Sequence, residues 1–183
     1  MKKTMIATAV VIASALSWNV AAQDVEYLGA TPKVLAEVGA QAANVPPDVL
    51  LVELERWRWN QDTFSVRPLN SPSTQHPGRR EGVLGFISYT PFEGGHTLYG
   101  CVHNNWMNRF TSVDPNCEGH MKDATFPITG YIATTQLPGT VPLYRCQRGG
   151  FSSTWVDHFD TLDWNCENVP WKVNDGLIGY IWL

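Results

Sequence analysis

The sequence predicts an all-β fold built from three repeats, and three observations predict it. First, one pattern returns. Leu98-Tyr99-Gly100-Cys101, Phe110, Asn116-Cys117 and Gly130-Tyr131-Ile132 come back as Leu143-Tyr144-Arg145-Cys146, Phe159, Asn165-Cys166 and Gly179-Tyr180-Ile181. A diverged copy, Leu54-Glu55-Arg56-Trp57, Phe64, Asn70-Ser71 and Gly85-Phe86-Ile87, precedes both. Second, the spacing is kept: the Phe lies six residues before the Asn in every copy, and 21, 20 and 20 residues before the Gly. Third, each copy reads as short β-rich runs punctuated by Pro and Gly turns. Units of about 45 residues are too small to enclose a core alone, so three must share one.

Residues 1–22 are expected to be an export signal. Lys2-Lys3 form a basic start, Met5 to Leu16 an apolar stretch, and Val20-Ala21-Ala22 a small-residue cleavage site before Gln23. The apolar stretch is shorter than the ~20 residues that span a bilayer, and no later stretch approaches that length. Export is expected to leave the protein in the periplasm or outside the cell. Loss of Lys2 and Lys3 takes the formal charge from −4 to −6, which argues against nucleic acid or an anionic membrane as partner. Residues 23–48 form an N-terminal extension in which Pro32 starts a short helix over 33–43, stopped by Pro46-Pro47.

The three units follow at 49–96, 97–140 and 141–183. Each is expected to give strand, loop, strand, long connection, strand. The strands are Val49 to Trp59, Asp62 to Val66 and Val83 to Tyr89, then Thr97 to His103, Arg109 to Val113 and Ile128 to Thr134. The last unit offers Pro142 to Gln147, His158 to Leu162 and Leu177 to Leu183. A fourth short strand is sought near Thr125-Phe126 or Trp171-Lys172-Val173. Three such units fit a pseudo-threefold, β-trefoil-like barrel, in which closure removes exposed edges. A three-bladed propeller is the rival, and its axis would be poorly filled.

Four cysteines in an exported chain suggest two disulfides, and the repeats choose the pairing. Units two and three each carry a Cys in the first strand and another after the Asn, whereas unit one has Trp57 and Ser71 there. Joint loss is the mark of a covalent pair, so Cys101 pairs with Cys117 and Cys146 with Cys166. Each loop closed is worth roughly 3 kcal/mol in the chain-entropy model. No CxxC and no paired His spacing supports zinc, and no metal or cofactor is expected.

The repeated Leu, Phe and Gly-Tyr-Ile positions read as core. The polar positions are the candidates for function. Each unit has an Asx residue two before its Phe: Asp62, Asn108 and Asp157, the last followed by His158. A Trp accompanies each, Trp106 and Trp155 four before the Phe and Trp59 five before. An aromatic face beside an amide or carboxylate suits a sugar, which stacks its apolar face and donates its hydroxyls. Trp106, Asn108, Trp155, Asp157 and His158 are therefore the expected ligand-binding set. The plain alternative is that the Asx caps a hairpin turn and the Trp covers the barrel end. Asp157 with Asp163 is the acid pair a glycosidase would need, but no nucleophile motif, P-loop or dinucleotide fingerprint is present, so no catalytic residue is expected.

With Leu143-Tyr144-Arg145, Asp157-His158-Phe159, Asp160-Thr161, Glu167 and Gly179-Tyr180-Ile181, the third unit resembles a family of secreted bacterial and fungal repeats of unknown function. The second keeps Leu98-Tyr99, Phe110-Thr111-Ser112, Cys117-Glu118 and Gly130-Tyr131-Ile132, but departs at Gly100 and Asn108-Arg109. The first departs most. The resemblance implies an accessory, wall- or glycan-binding role beside secreted hydrolases, with no reaction and no established ligand. The expectation is a monomeric, non-catalytic binding module. An inhibitor or envelope scaffold acting through the irregular stretch Pro68 to Arg80 is the alternative, and a secreted hydrolase the third.

Overall fold

The structure, a computed structural model, describes residues 26–39, 45–68, 78–104, 108–149 and 155–183. The export signal, the end of the expected helix, Asn70-Ser71 and Trp106 lie outside these residues. After a helix α1 (Pro32–Gly39) come ten strands: β1 (Leu51–Trp59), β2 (Asp62–Val66), β3 (Arg79–Ser88), β4 (Gly95–Val102), β5 (Arg109–Ser112), β6 (Met121–Lys122), β7 (Gly130–Ala133), β8 (Thr140–Gly149), β9 (Val156–Thr161) and β10 (Lys172–Trp182). The protein is all-β with antiparallel strand pairing. The short extra strand of unit two falls at Met121-Lys122 rather than Thr125-Phe126, and in unit three Lys172-Val173 opens β10 instead of standing alone.

In each unit the first strand lies between the other two. β1 pairs with β2 and β3, β4 with β5 and β7, and β8 with β9 and β10. The register puts the same residue types opposite each other each time. Leu54 faces Gly85, Leu98 faces Gly130 and Leu143 faces Gly179. Trp57 faces Phe64, Cys101 faces Phe110 and Cys146 faces Phe159. Single pairings join the last strands: Phe86 with Trp182, Tyr180 with Ala133, and Ser88 with Tyr131. The main strand path nevertheless runs open, β2-β1-β3-β10-β7-β4-β5.

The core follows from this register. Leu54, Leu98, Leu143, Ile87, Ile132 and Ile181 are fully buried in one cluster. Tyr27, Leu28, Ala30, Val34 and Val38 of the extension pack against it, and Leu28 donates its N–H to the Val83 carbonyl at 2.8 Å. The extension is thus a strap over the core. Glycine is required where strands cross: a Cβ on Gly85, whose φ is +154°, would lie 2.6 Å from the Trp182 carbonyl oxygen.

Both expected disulfides are present, with Cα–Cα distances of 5.6 Å for Cys101–Cys117 and 5.7 Å for Cys146–Cys166. Each packs on the Phe of its unit, Phe110 or Phe159. In unit one Trp57 packs on Phe64 in the same way. The indole fills the volume that a disulfide fills elsewhere, and its Nε1–H donates to Glu55 at 2.9 Å.

Two arginines tie the units together. Arg56 donates to both Glu167 oxygens at 2.6 and 3.0 Å, to the Asp160 carbonyl at 2.9 Å and to Glu81 at 2.8 Å. Arg145 repeats the arrangement, donating to Glu118 at 2.7 and 3.0 Å, to the Thr111 carbonyl at 2.9 Å and to Asp175 at 3.1 Å. Burial alone lowers the pKa of each guanidinium, and the paired carboxylates more than offset it. The aligned position in unit two is Gly100, where the carbonyl of Phe126 occupies the space a Cβ would need. Phe126 itself stands four residues before Gly130, as Glu81 and Asp175 stand before Gly85 and Gly179. Removing one member of a buried charged set leaves the others unpaired. Arg56→Ala is therefore expected to lower unfolding free energy by about 3–5 kcal/mol in urea titration, and a change below 1 kcal/mol would refute this role.

Candidate functional site

The three Asx residues meet. Strands β2, β5 and β9 pack against one another, and this brings Asp62, Asn108 and Asp157 together from three distant parts of the chain. Asp157 is fully buried. Its Oδ1 accepts the Thr63 N–H at 2.7 Å, and its Oδ2 accepts the Thr63 hydroxyl at 2.9 Å and Arg148 Nε at 2.8 Å. Asp62 accepts the Arg109 N–H at 2.8 Å and its guanidinium at 3.0 Å. Asn108 donates its amide to Asp62 and Asp157, each at 3.4 Å. With the amide nitrogen so oriented, Asn108 Oδ1 is the acceptor, and His158 Nδ1–H donates to it at 2.6 Å.

A sugar-binding role for the Asx residues needs them open to solvent, whereas the turn-capping alternative does not. The structure instead buries Asn108 and Asp62 to 5% and 8% exposure and Asp157 completely. The reason is that each Asx bonds across to the neighbouring unit rather than into its own turn. Asp157 is thereby out of a ligand's reach, and His158, mostly buried, stands behind Asn108. Asp163, like Asp114, accepts two backbone N–H groups of its own loop. Neither Asp157 nor Asp163 is placed as a free acid for glycoside hydrolysis.

The charges reflect this burial. Asp62 is pushed up to about 7 by burial, against the pull of Arg109. Asp157 is also raised by burial, opposed by Arg148 and Thr63. His158 is lowered to about 4 by burial and by Arg145, so at neutral pH it is an uncharged imidazole with its proton on Nδ1.

Two cavities lie beside this polar junction. The first, about 230 Å³, is lined by Trp59, Asn60, Gln61, Asp62, Asn108, Trp155 and Val156. Trp155 and Trp59 are half-buried. Gly149, at φ +84°, lets the Trp155 ring approach: a Cβ there would lie 3.4 Å from the indole and 2.8 Å from the Trp155 carbonyl oxygen. Of the expected set, Trp155 and Asn108 share this cavity. Trp59 and Asp62 join them, and both were outside that set. The signal for Trp59 was present but offset, five residues before its Phe instead of four.

The second cavity, about 210 Å³, is lined by His103, Phe110, Glu118, His120, Gln147, Val156 and His158. His103 and His120 stack with ring centroids 4.0 Å apart. Glu118 is held below the usual carboxylate range by hydrogen bonds from Arg145 and Ser112. Among the described residues, no group of three or more His, Cys, Asp and Glu is placed to hold a metal. Residues 69–77 of the alternative interaction stretch lie outside the described residues, and among those described no helix is long and apolar enough to cross a membrane. No family model matches the chain, and neither a curated protein nor a solved structure matches it.

His158 gives a pH signature with a definite sign. Its unfolded value is near 6.5 and its folded value about 4, so the native state binds fewer protons between those limits. The stability it contributes is complete above pH 6.5 and is lost as pH falls toward 4, by about 3 kcal/mol. The groups facing it are Arg145, His103, Glu118, His120 and, at 3.5 Å, Asp175. His158→Gln is expected to remove this component, so urea titrations from pH 7 to 4 should show wild type losing more stability than the variant. Parallel losses would contradict it.

Proposed function

We propose that this protein is an exported, non-catalytic, β-trefoil-like module that binds glycan in the cavity between Trp59 and Trp155. The observation that carries the reading is the lining itself: two indole rings, with Asp62 and Asn108 held beside them by hydrogen bonds to neighbouring strands. Indoles stack on the apolar face of a pyranose, and fixed polar groups orient its hydroxyls. Because the polar residues are already ordered, binding loses little side-chain entropy. Asp157 and His158 act in this reading as positioning residues, fixing the amide of Asn108 from behind.

The trefoil-like part rests on the register shared by the three units and on the pairings among β3, β7 and β10. Export is supported by the signal-like start and by two disulfides, which persist in oxidising compartments. The likeness of the third unit to secreted repeats points the same way.

The test is a glycan array probed with the mature chain, followed by titration of the best soluble hit. An aromatic stacking contact of ~1 kcal/mol predicts that Trp155→Ala weakens binding about fivefold, and Trp59→Ala should do likewise. Unchanged affinity in both variants removes the cavity as the site.

A further inference from the structure

We propose a second carbohydrate-binding surface, formed by Trp164 and Trp171 on the connection between β9 and β10, that takes the flat face of an insoluble polysaccharide. The two side chains are 69% and 73% exposed, the highest values among the large hydrophobic residues described.

The loop carrying Trp164 is built twice in this chain. Asp114-Pro115-Asn116-Cys117-Glu118 follows β5, and Asp163-Trp164-Asn165-Cys166-Glu167 follows β9. In both, the Asp accepts the N–H of the Asn and of the Glu, all four distances being 2.9 Å. In both, Cys and Glu adopt positive φ, at 52° and 57° in one copy and 55° and 51° in the other. The Cys is then fixed by its disulfide and the Glu by an arginine of another unit. Asp, Asn, Cys and Glu therefore determine the backbone. The side chain between Asp and Asn takes no part in these bonds, and in the second unit it is that of an exposed Pro115. The fold has no use for an indole at Trp164.

Trp171 is held beside this loop. Lys172 Nζ donates to Asn165 at 2.9 Å and to Asn168 at 2.8 Å, and Asn174 donates to the Trp164 carbonyl at 2.6 Å. These bonds fasten residues 172–174 to residues 164–168. Trp171 itself sits at φ +57°, a region that bulky residues avoid, so its ring is presented from a fixed backbone. Lys172 engages the amide oxygens of Asn165 and Asn168, which leaves their nitrogens as donors for sugar hydroxyls. Rings set among amides and an ammonium group match a polysaccharide, whose faces are apolar and whose edges are polar. A protein partner would favour a continuous apolar patch depleted of lysine.

The class of ligand rests on the carbohydrate reading above, but the site does not, since neither Trp164 nor Trp171 lines the cavity. The experiment is co-sedimentation of the oxidised mature chain with microcrystalline cellulose, chitin and purified peptidoglycan sacculi. Wild type, Trp164→Ala/Trp171→Ala and, as a control at an exposed apolar residue of β6, Met121→Ala are compared. Wild type is expected to pellet with at least one of the three. The double variant should lose at least tenfold in retention with an unchanged melting temperature, while Met121→Ala is retained. Equal retention of the double variant, wild type remaining in the supernatant with all three, or self-association abolished by the double substitution would overturn the proposal. The cavity fails separately, by unchanged soluble-glycan titrations in both Trp155→Ala and Trp59→Ala.

Discussion

The carboxylate of Asp157 has no contact with water, and a group in that position must be fully hydrogen-bonded or it destabilises the fold. It is satisfied by Thr63, the second residue of β2 in another unit, and by Arg148. Asp62 reaches from unit one to Arg109 of unit two. Asn108 donates to both and accepts a hydrogen bond from His158 in unit three. The hairpins are therefore locked by bonds between units, and the cavity beside Trp59 and Trp155 inherits its rigid polar wall from this junction. A deeper layer reinforces it: Thr111 donates to the buried Asp160 at 2.7 Å, and Arg56 and Arg145 span the same boundaries.

Where the units differ, residues change in sets. Unit two has Gly100 in place of the arginine and Phe126 in place of its acid, and Pro72 of unit one stands at the position of Glu118 and Glu167. The whole charged set is absent at that boundary, and the Phe126 carbonyl takes up the space. A lone buried arginine or glutamate would be far more costly than none. The cysteines follow the same logic, since Trp57 restores by packing what the missing disulfide gave up.

Much of the fold was legible because its signals are local or repeated. The hairpin at Asp62–Val66 begins and ends where the β-rich run does, and joint loss of two cysteines in unit one identified both covalent pairs. The site was less legible. An Asx at the entry of a strand reads as a turn cap, and nothing nearby reveals that Asp157 bonds Thr63, 94 positions earlier. The same distance problem hid Arg56 and Glu167, which are 111 positions apart. Trp59 belongs to the diverged first copy and so fell outside the expected set, and Trp164 is informative only because the backbone of its loop repeats the one holding Pro115.

The fold requires the inter-unit junction to be part of the cooperative core rather than a surface decoration. Native-state hydrogen exchange of the Thr63 and Arg109 amides measures this directly, because those two N–H groups donate to Asp157 and Asp62. Both should exchange only through global unfolding, with opening free energies equal to the stability from urea titration and falling in step with it as denaturant is added. Exchange through local opening, at free energies well below global stability and insensitive to denaturant, would contradict the claim.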